Sequence, residues 1–313
     1  LTTSMTVDLA AGADRLTLAN VANTGSVTNA ETVIGGSAAD TLTLGGGLTN
    51  ASIDLGAGTD QLTLANGTNS ATISNVEVLV GTTGPNTITL GNAVSNASVD
   101  LGSGSDRLTL ANAASTLSLS NVETITGGTA ADAVTLVTAL STSLQIDLSA
   151  GTDTIRLANV ANTGTISNAE TIIGNAAADT VTLGSAITNG SVDGAAGNDV
   201  LTLSSAAGTL SVANVETVTG GTGADIVTLT TALSNSVTVD LSDGSDRLTL
   251  ANLANTGSVT NVETLIGGSA ADTVTLGAVA TNATVDFGSG NDTIALANGS
   301  NIATLSNIET ITG

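Results

Sequence analysis

Asp54-Leu55-Gly56-Ala57-Gly58-Thr59-Asp60-Gln61-Leu62-Thr63-Leu64 decides the fold. Before it, Ile53-Asp54-Leu55 alternates apolar and polar residues; after it, Leu62-Thr63-Leu64 does the same. That period of two is the signature of strands with one buried face. Between them, two glycines and a closing aspartate mark a tight turn. Variants of this strand–turn–strand phrase recur along all 313 residues, so the chain reads as a tandem array and not as the two domains its length would suggest.

Two acidic series give the period. Glu31, Glu77, Glu123, Glu170, Glu216, Glu263 and Glu309 recur every 46 or 47 residues, and Asp8, Asp54, Asp100, Asp147, Asp193, Asp240 and Asp286 fall halfway between. Interleaved, they place an acid every 23 or 24 residues. A second series, from Asp14 and Asp40 through Asp60, Asp106, Asp132, Asp153, Asp179, Asp199, Asp225, Asp246 and Asp272 to Asp292, marks the turns, with Asn86 in the one gap. Only Asp243 lies outside both series, so the charge is positioned and not scattered. No segment carries a 3.6-residue apolar stripe with caps.

The expected fold is an all-β parallel β-solenoid of about 14 coils of about 23 residues, in seven repeats forming one continuous array over 1–313. Such coils share an apolar interior with their neighbours. Composition agrees: the apolar residues are Ala, Val, Leu and Ile, with one Phe, one Met and no Trp, Tyr or Cys, which suits a thin, uniform core. The chain begins and ends within a repeat, and is expected to be a segment of a longer array whose strand edges meet flanking repeats or further copies.

Charge narrows the partners. Four arginines face 27 acids, for a net charge of −23, which disfavours nucleic acid and anionic membrane and favours divalent cations. No apolar run is long enough to insert in a membrane. With no His, Cys, Lys or Tyr, the usual general bases and nucleophiles are missing, so no enzyme is expected.

Gly220-Gly221-Thr222-Gly223-Ala224-Asp225-Ile226-Val227-Thr228 fits the Gly-Gly-x-Gly-x-Asp-x-apolar-x nonapeptide, with weaker matches at 56–60, 102–106 and 288–292. In these turns the chain resembles the RTX family of secreted bacterial calcium-binding repeat proteins. The resemblance implies a right-handed solenoid, an extracellular or bacterial cell-surface location, and Ca2+ held between successive turns by aspartates and glycine-turn carbonyls. On that basis Asp60, Asp106, Asp153, Asp199, Asp225, Asp246 and Asp292 are candidate turn ligands. Several turns depart from the motif, and the family's coil has 18 residues against the 23 expected here. The alternative for each turn aspartate is a carboxylate that accepts turn amides.

The other series offers Asp54, Glu77, Asp100 and Glu123 as an acidic strip bridged by calcium, or else as a solvated face. Carboxylates one coil apart, about 4.8 Å, repel by roughly 0.9 kcal/mol per pair even in water, so a bridging cation would relieve a stacked ladder. Asn29, Asn75, Asn121 and their successors are expected to stack on one another at a corner. A column of threonines from Thr17 to Thr275 is expected to form one outward row resembling an ice-binding face, although Arg15, Arg107 and Arg247 stand where a second threonine would and Arg156 breaks the column itself. Three functional readings follow. The first is a self-associating structural element of a surface layer, fibre or filament; the second is a stalk in a calcium-dependent adhesin; the third is an ice-binding solenoid.

Overall fold

The computed structural model describes residues 1–2 and 5–313. Its chain divides into two compact units, Leu1–Arg156 and Leu157–Gly313. Among the described residues each unit contains seventeen short strands, from Met5–Asp8 to Thr154–Arg156 in the first and from Thr163–Ser167 to Thr310–Thr312 in the second. No helix is assigned among the described residues, and no segment is a helix able to cross a membrane. Within each unit, alternate strands pair in parallel, so the chain winds between two facing sheets as a parallel β-solenoid.

Alternation sets the packing. In Thr41–Leu44 and Gln61–Thr63, Leu42, Leu44 and Leu62 turn inward and are buried, while Thr41 and Thr43 face solvent. Pairing stacks like on like: Leu42 lies beside Leu62 and Leu62 beside Leu79, giving single-file aliphatic columns between the sheets. Each such side chain contributes about 1.5–3 kcal/mol on burial, but only once the next coil covers it. The lone aromatic, Phe287, fills the place that Leu55 and Leu101 fill elsewhere, also fully buried.

The coil is shorter than the acidic spacing predicts. Paired residues are offset by 20 between Met5 and Gly25, by 17 between Thr24 and Thr41, and by 21 between Ala133 and Thr154. The cause is a phase mismatch. One 46- or 47-residue repeat holds five strands, as from Met5–Asp8 to Ala51–Gly56, whereas a coil holds two. Each repeat therefore advances the chain by two and a half coils, not two, and consecutive copies of one residue face opposite sheets. Asp8 and Asp100 lie on one sheet of the first unit and Asp54 on the other; in the second unit Asp193 and Asp286 share a sheet and Asp240 lies on its opposite. The acids do not form the single strip expected of a 23-residue coil. The threonine column divides the same way, with Thr43, Thr63 and Thr135 on one sheet of the first unit and Thr17, Thr89 and Thr109 on the other.

Coil spacing at the corners depends on glycine. A Cβ on Gly81 would stand 2.0 Å from the Leu101 carbonyl oxygen of the next coil, and one on Gly220 would stand 2.0 Å from that of Leu241. At these two corners the glycine thus allows backbone to touch backbone.

Candidate functional site: carboxylate tracks at the coil corners

The turn aspartates are interior residues. Asp40, Asp60, Asp106, Asp225 and Asp246 are 0–1% exposed, and Asp153, Asp179, Asp199 and Asp292 are also buried. What holds them is a track that climbs one coil per step. The amide and side-chain Nδ2 of Asn23 both donate to Asp40 Oδ1 at 2.8 Å. The Asp40 amide donates to Asp60 Oδ1 at 2.7 Å, and the Asp60 amide to Glu77 Oε2 at 2.7 Å. On the opposite corner Asn69, Asn86, Asp106 and Glu123 repeat the sequence. In the second unit it recurs as Asn162, Asp179, Asp199 and Glu216, and again as Gly208, Asp225, Asp246 and Glu263. Each step onto an aspartate or glutamate satisfies a turn amide with a charged acceptor, a bond class that contributes about 1.5–3 kcal/mol.

Each predicted site residue has a place in this scheme. Asp60, Asp106, Asp199, Asp225, Asp246 and Asp292 occupy the middle of tracks, and Asp153 accepts the Asp132 amide at 2.7 Å. Glu77 and Glu123 end tracks at opposite corners and cap Asp60 and Asp106. Asp54 and Asp100 stand apart from both. Asp54 Oδ1 accepts the Gly56 amide two residues on, at 3.0 Å, and Asn75 Nδ2 one coil on, at 2.6 Å; Asp100 is held likewise by Gly102 and Asn121. The recurrent asparagines therefore do not stack on one another as the sequence suggests. Each takes a left-handed backbone, φ 54° at Asn75, and Asn29, Asn75, Asn121, Asn214, Asn261 and Asn307 each reach to an aspartate of the preceding coil. Sequence reasoning also missed the buried asparagines that begin the tracks, Asn23, Asn69, Asn162 and Asn255. The phrases Ala19-Asn20-Val21-Ala22-Asn23 and Ala158-Asn159-Val160-Ala161-Asn162 carried that signal, each ending 17 residues before a turn aspartate.

The tracks satisfy only one oxygen of each carboxyl. Oδ2 of Asp40, Asp60, Asp106, Asp179, Asp199, Asp246, Asp272 and Asp292 is buried with no hydrogen-bond partner. The one substituted turn reveals the polarity of that slot. Asn86 Nδ2 donates to Asp106 Oδ1 at 2.9 Å, to the Leu101 carbonyl at 3.0 Å and to the Gly84 carbonyl at 3.1 Å, so its neighbours are all acceptors. Where aspartate stands instead, an oxygen takes the place of that donor. Burial accordingly pushes the carboxyls of Asp60, Asp106, Asp132 and Asp225 up, and those of Asp199 and Asp246 up to about 6. At Asp132 and Asp225 the amides of Gly128 and Gly221 offset part of the rise. Asp8, exposed, and Asp286, half-buried, are both well bonded and move the opposite way: the Ala10 amide lowers the first and Asn307 the second.

Two carboxyls with carbonyl oxygens make a hard donor set of the kind calcium takes. Among the described residues no three acidic side chains converge on one point, so an ion here would draw its remaining ligands from the backbone. No family model matches the chain, and no curated protein is similar to it.

Proposed function

We propose that the chain is a structural element of a bacterial extracellular or cell-surface assembly, such as a surface layer, fibre or filament, stabilised by calcium at its corners and built up by association with further repeats or copies. The observation that carries this reading is the set of buried, unpartnered Oδ2 atoms stacked coil on coil in a chain of net charge −23. A divalent cation beside each pair would supply the positive charge that the slot's acceptors call for. A coil of 17–21 residues also removes one departure from the RTX resemblance, since it brackets that family's 18.

Thermal melts of the purified chain with calcium and with chelator test the metal: the midpoint is expected to fall in chelator, and an unmoved midpoint rejects calcium. Electron microscopy of the calcium-loaded chain tests assembly. Sheets or fibres are expected; a calcium-stiffened monomer at every concentration would favour the stalk of an adhesin.

A further inference from the structure

The half-coil phase sorts residues between the two sheets of the second unit in a way the linear sequence hides. Among the described residues of that unit, the sheet containing Thr163–Ser167 has nine strands, ending at Thr310–Thr312. Two outward positions on each of seven strands, and three on each of the five-residue strands Thr163–Ser167 and Thr256–Thr260, make twenty in all. Fifteen are threonine and two are serine; the others are Val200, Ala295 and Asp240. The opposite sheet of the same unit carries Arg247, Asp193 and Asp286 among its outward residues, with Ile173, Ile226 and Ile266. Arg247, which stands where a second threonine would in the linear pattern, therefore lies on the other side.

Pairing converts this composition into a lattice. Thr165, Thr182, Thr202 and Thr219 stand in one column over four successive coils, and Thr217 and Thr238 lie in the column beside it. Columns lie two residues apart, about 6.6 Å, and rows one strand apart, about 4.8 Å. β-branching limits each threonine to few rotamers, so hydroxyl and methyl positions repeat along with the backbone. Among the described residues no hydroxyl of these fifteen threonines has a protein partner except that of Thr312, so the rest are free to bind water. The single charge is tied down, Asp240 Oδ1 accepting the Ser242 amide at 3.0 Å and Asn261 Nδ2 at 2.8 Å.

We propose that this sheet binds the surface of ice. An ionic partner would need charge, and the face offers one occupied carboxylate on a chain of net charge −23. An uncharged crystal of water needs repeated hydroxyls to join its hydrogen-bond net and methyls to hold the intervening water in cages, and the face supplies both at regular spacing. The proposal is independent of calcium.

Freezing-point hysteresis and inhibition of ice recrystallisation, measured on the full chain, test it. The native protein is expected to show both, rising with concentration. The paired substitution Thr202→Tyr with Thr219→Tyr should reduce both to the level of buffer, while Thr228→Tyr with Thr249→Tyr on the opposite sheet should leave them unchanged. Circular dichroism establishes that each variant is folded, and the smaller Thr202→Val with Thr219→Val serves where the tyrosines prevent folding; a severalfold loss is expected there. Absence of both activities in the folded native chain, or equal loss from the two faces, overturns the proposal.

Discussion

At the scale of the residue, the turn aspartates are half-satisfied acids, and Asn86 is the experiment the sequence has already done. Its amide fills the slot with donors where aspartate brings a bare oxygen. Asp179→Asn is therefore expected to stabilise the chelator-treated protein at pH 7.5 by about 1–2 kcal/mol, read from the denaturant midpoint. The pH dependence follows from the same oxygens. Asp199 and Asp246 titrate near 6 when folded, against about 3.9 when unfolded, so the folded chain holds more protons between those values. Their contribution is complete below about pH 4 and is lost as pH rises through 6. In chelator, the melting temperature should rise as pH is lowered from 7.5 to 5; a fall over that range would show the carboxyls to be ionised and content. Gly194 gives a third prediction. It stands where Leu55, Leu101, Leu148, Leu241 and Phe287 stand in other repeats, and leaves a void of about 20 Å³ among Leu157, Ile172, Val181, Val192, Leu201 and Val215. A Cβ there would nevertheless stand 2.2 Å from the Asn214 carbonyl oxygen, so Gly194→Leu is expected to lower stability by about 1–3 kcal/mol in denaturant unfolding.

At the scale of the element, the strands were legible and the coil was not. Ile53-Asp54-Leu55 and Leu62-Thr63-Leu64 announce strands because alternation is local. The coil length depends on which strands pair, a non-local fact, and the acids misled because Asp54 and Glu77 look like successive members of one series. In fact one sits in an aspartate turn and the other caps a different aspartate a coil away. The turn aspartates were found as candidates for a site, but their inward direction was not, since a Gly-rich turn reads as surface. The glycines were read as turn formers; Gly81 and Gly220 are also spacers. Gly81→Ala, with its Cβ aimed at the Leu101 carbonyl, is expected to cost about 2–3 kcal/mol despite an unexceptional φ, measured by the same unfolding assay.

At the scale of the whole molecule, charge opposes the fold that the tracks maintain. Twenty-seven acids against four arginines, many of the acids stacked at coil spacing, leave a repulsion that solvent ions must screen. Raising NaCl from 10 mM to 1 M in chelator should raise the melting temperature, and calcium at millimolar concentration should do so further if the corner slots bind it. Equal effects from calcium and from magnesium at matched ionic strength would reduce the divalent contribution to screening.

The two-and-a-half-coil advance also constrains how such an array can change over generations. Tandem genes gain and lose copies by unequal exchange, one repeat at a time as readily as two. Loss of a single copy would exchange the sides of every later residue, scattering a side rich in threonine across the axis while leaving the core untouched. Loss of two copies would restore it. Selection for a surface on this fold is therefore selection for even steps in copy number, and an array whose two sides are alike would be free of that rule.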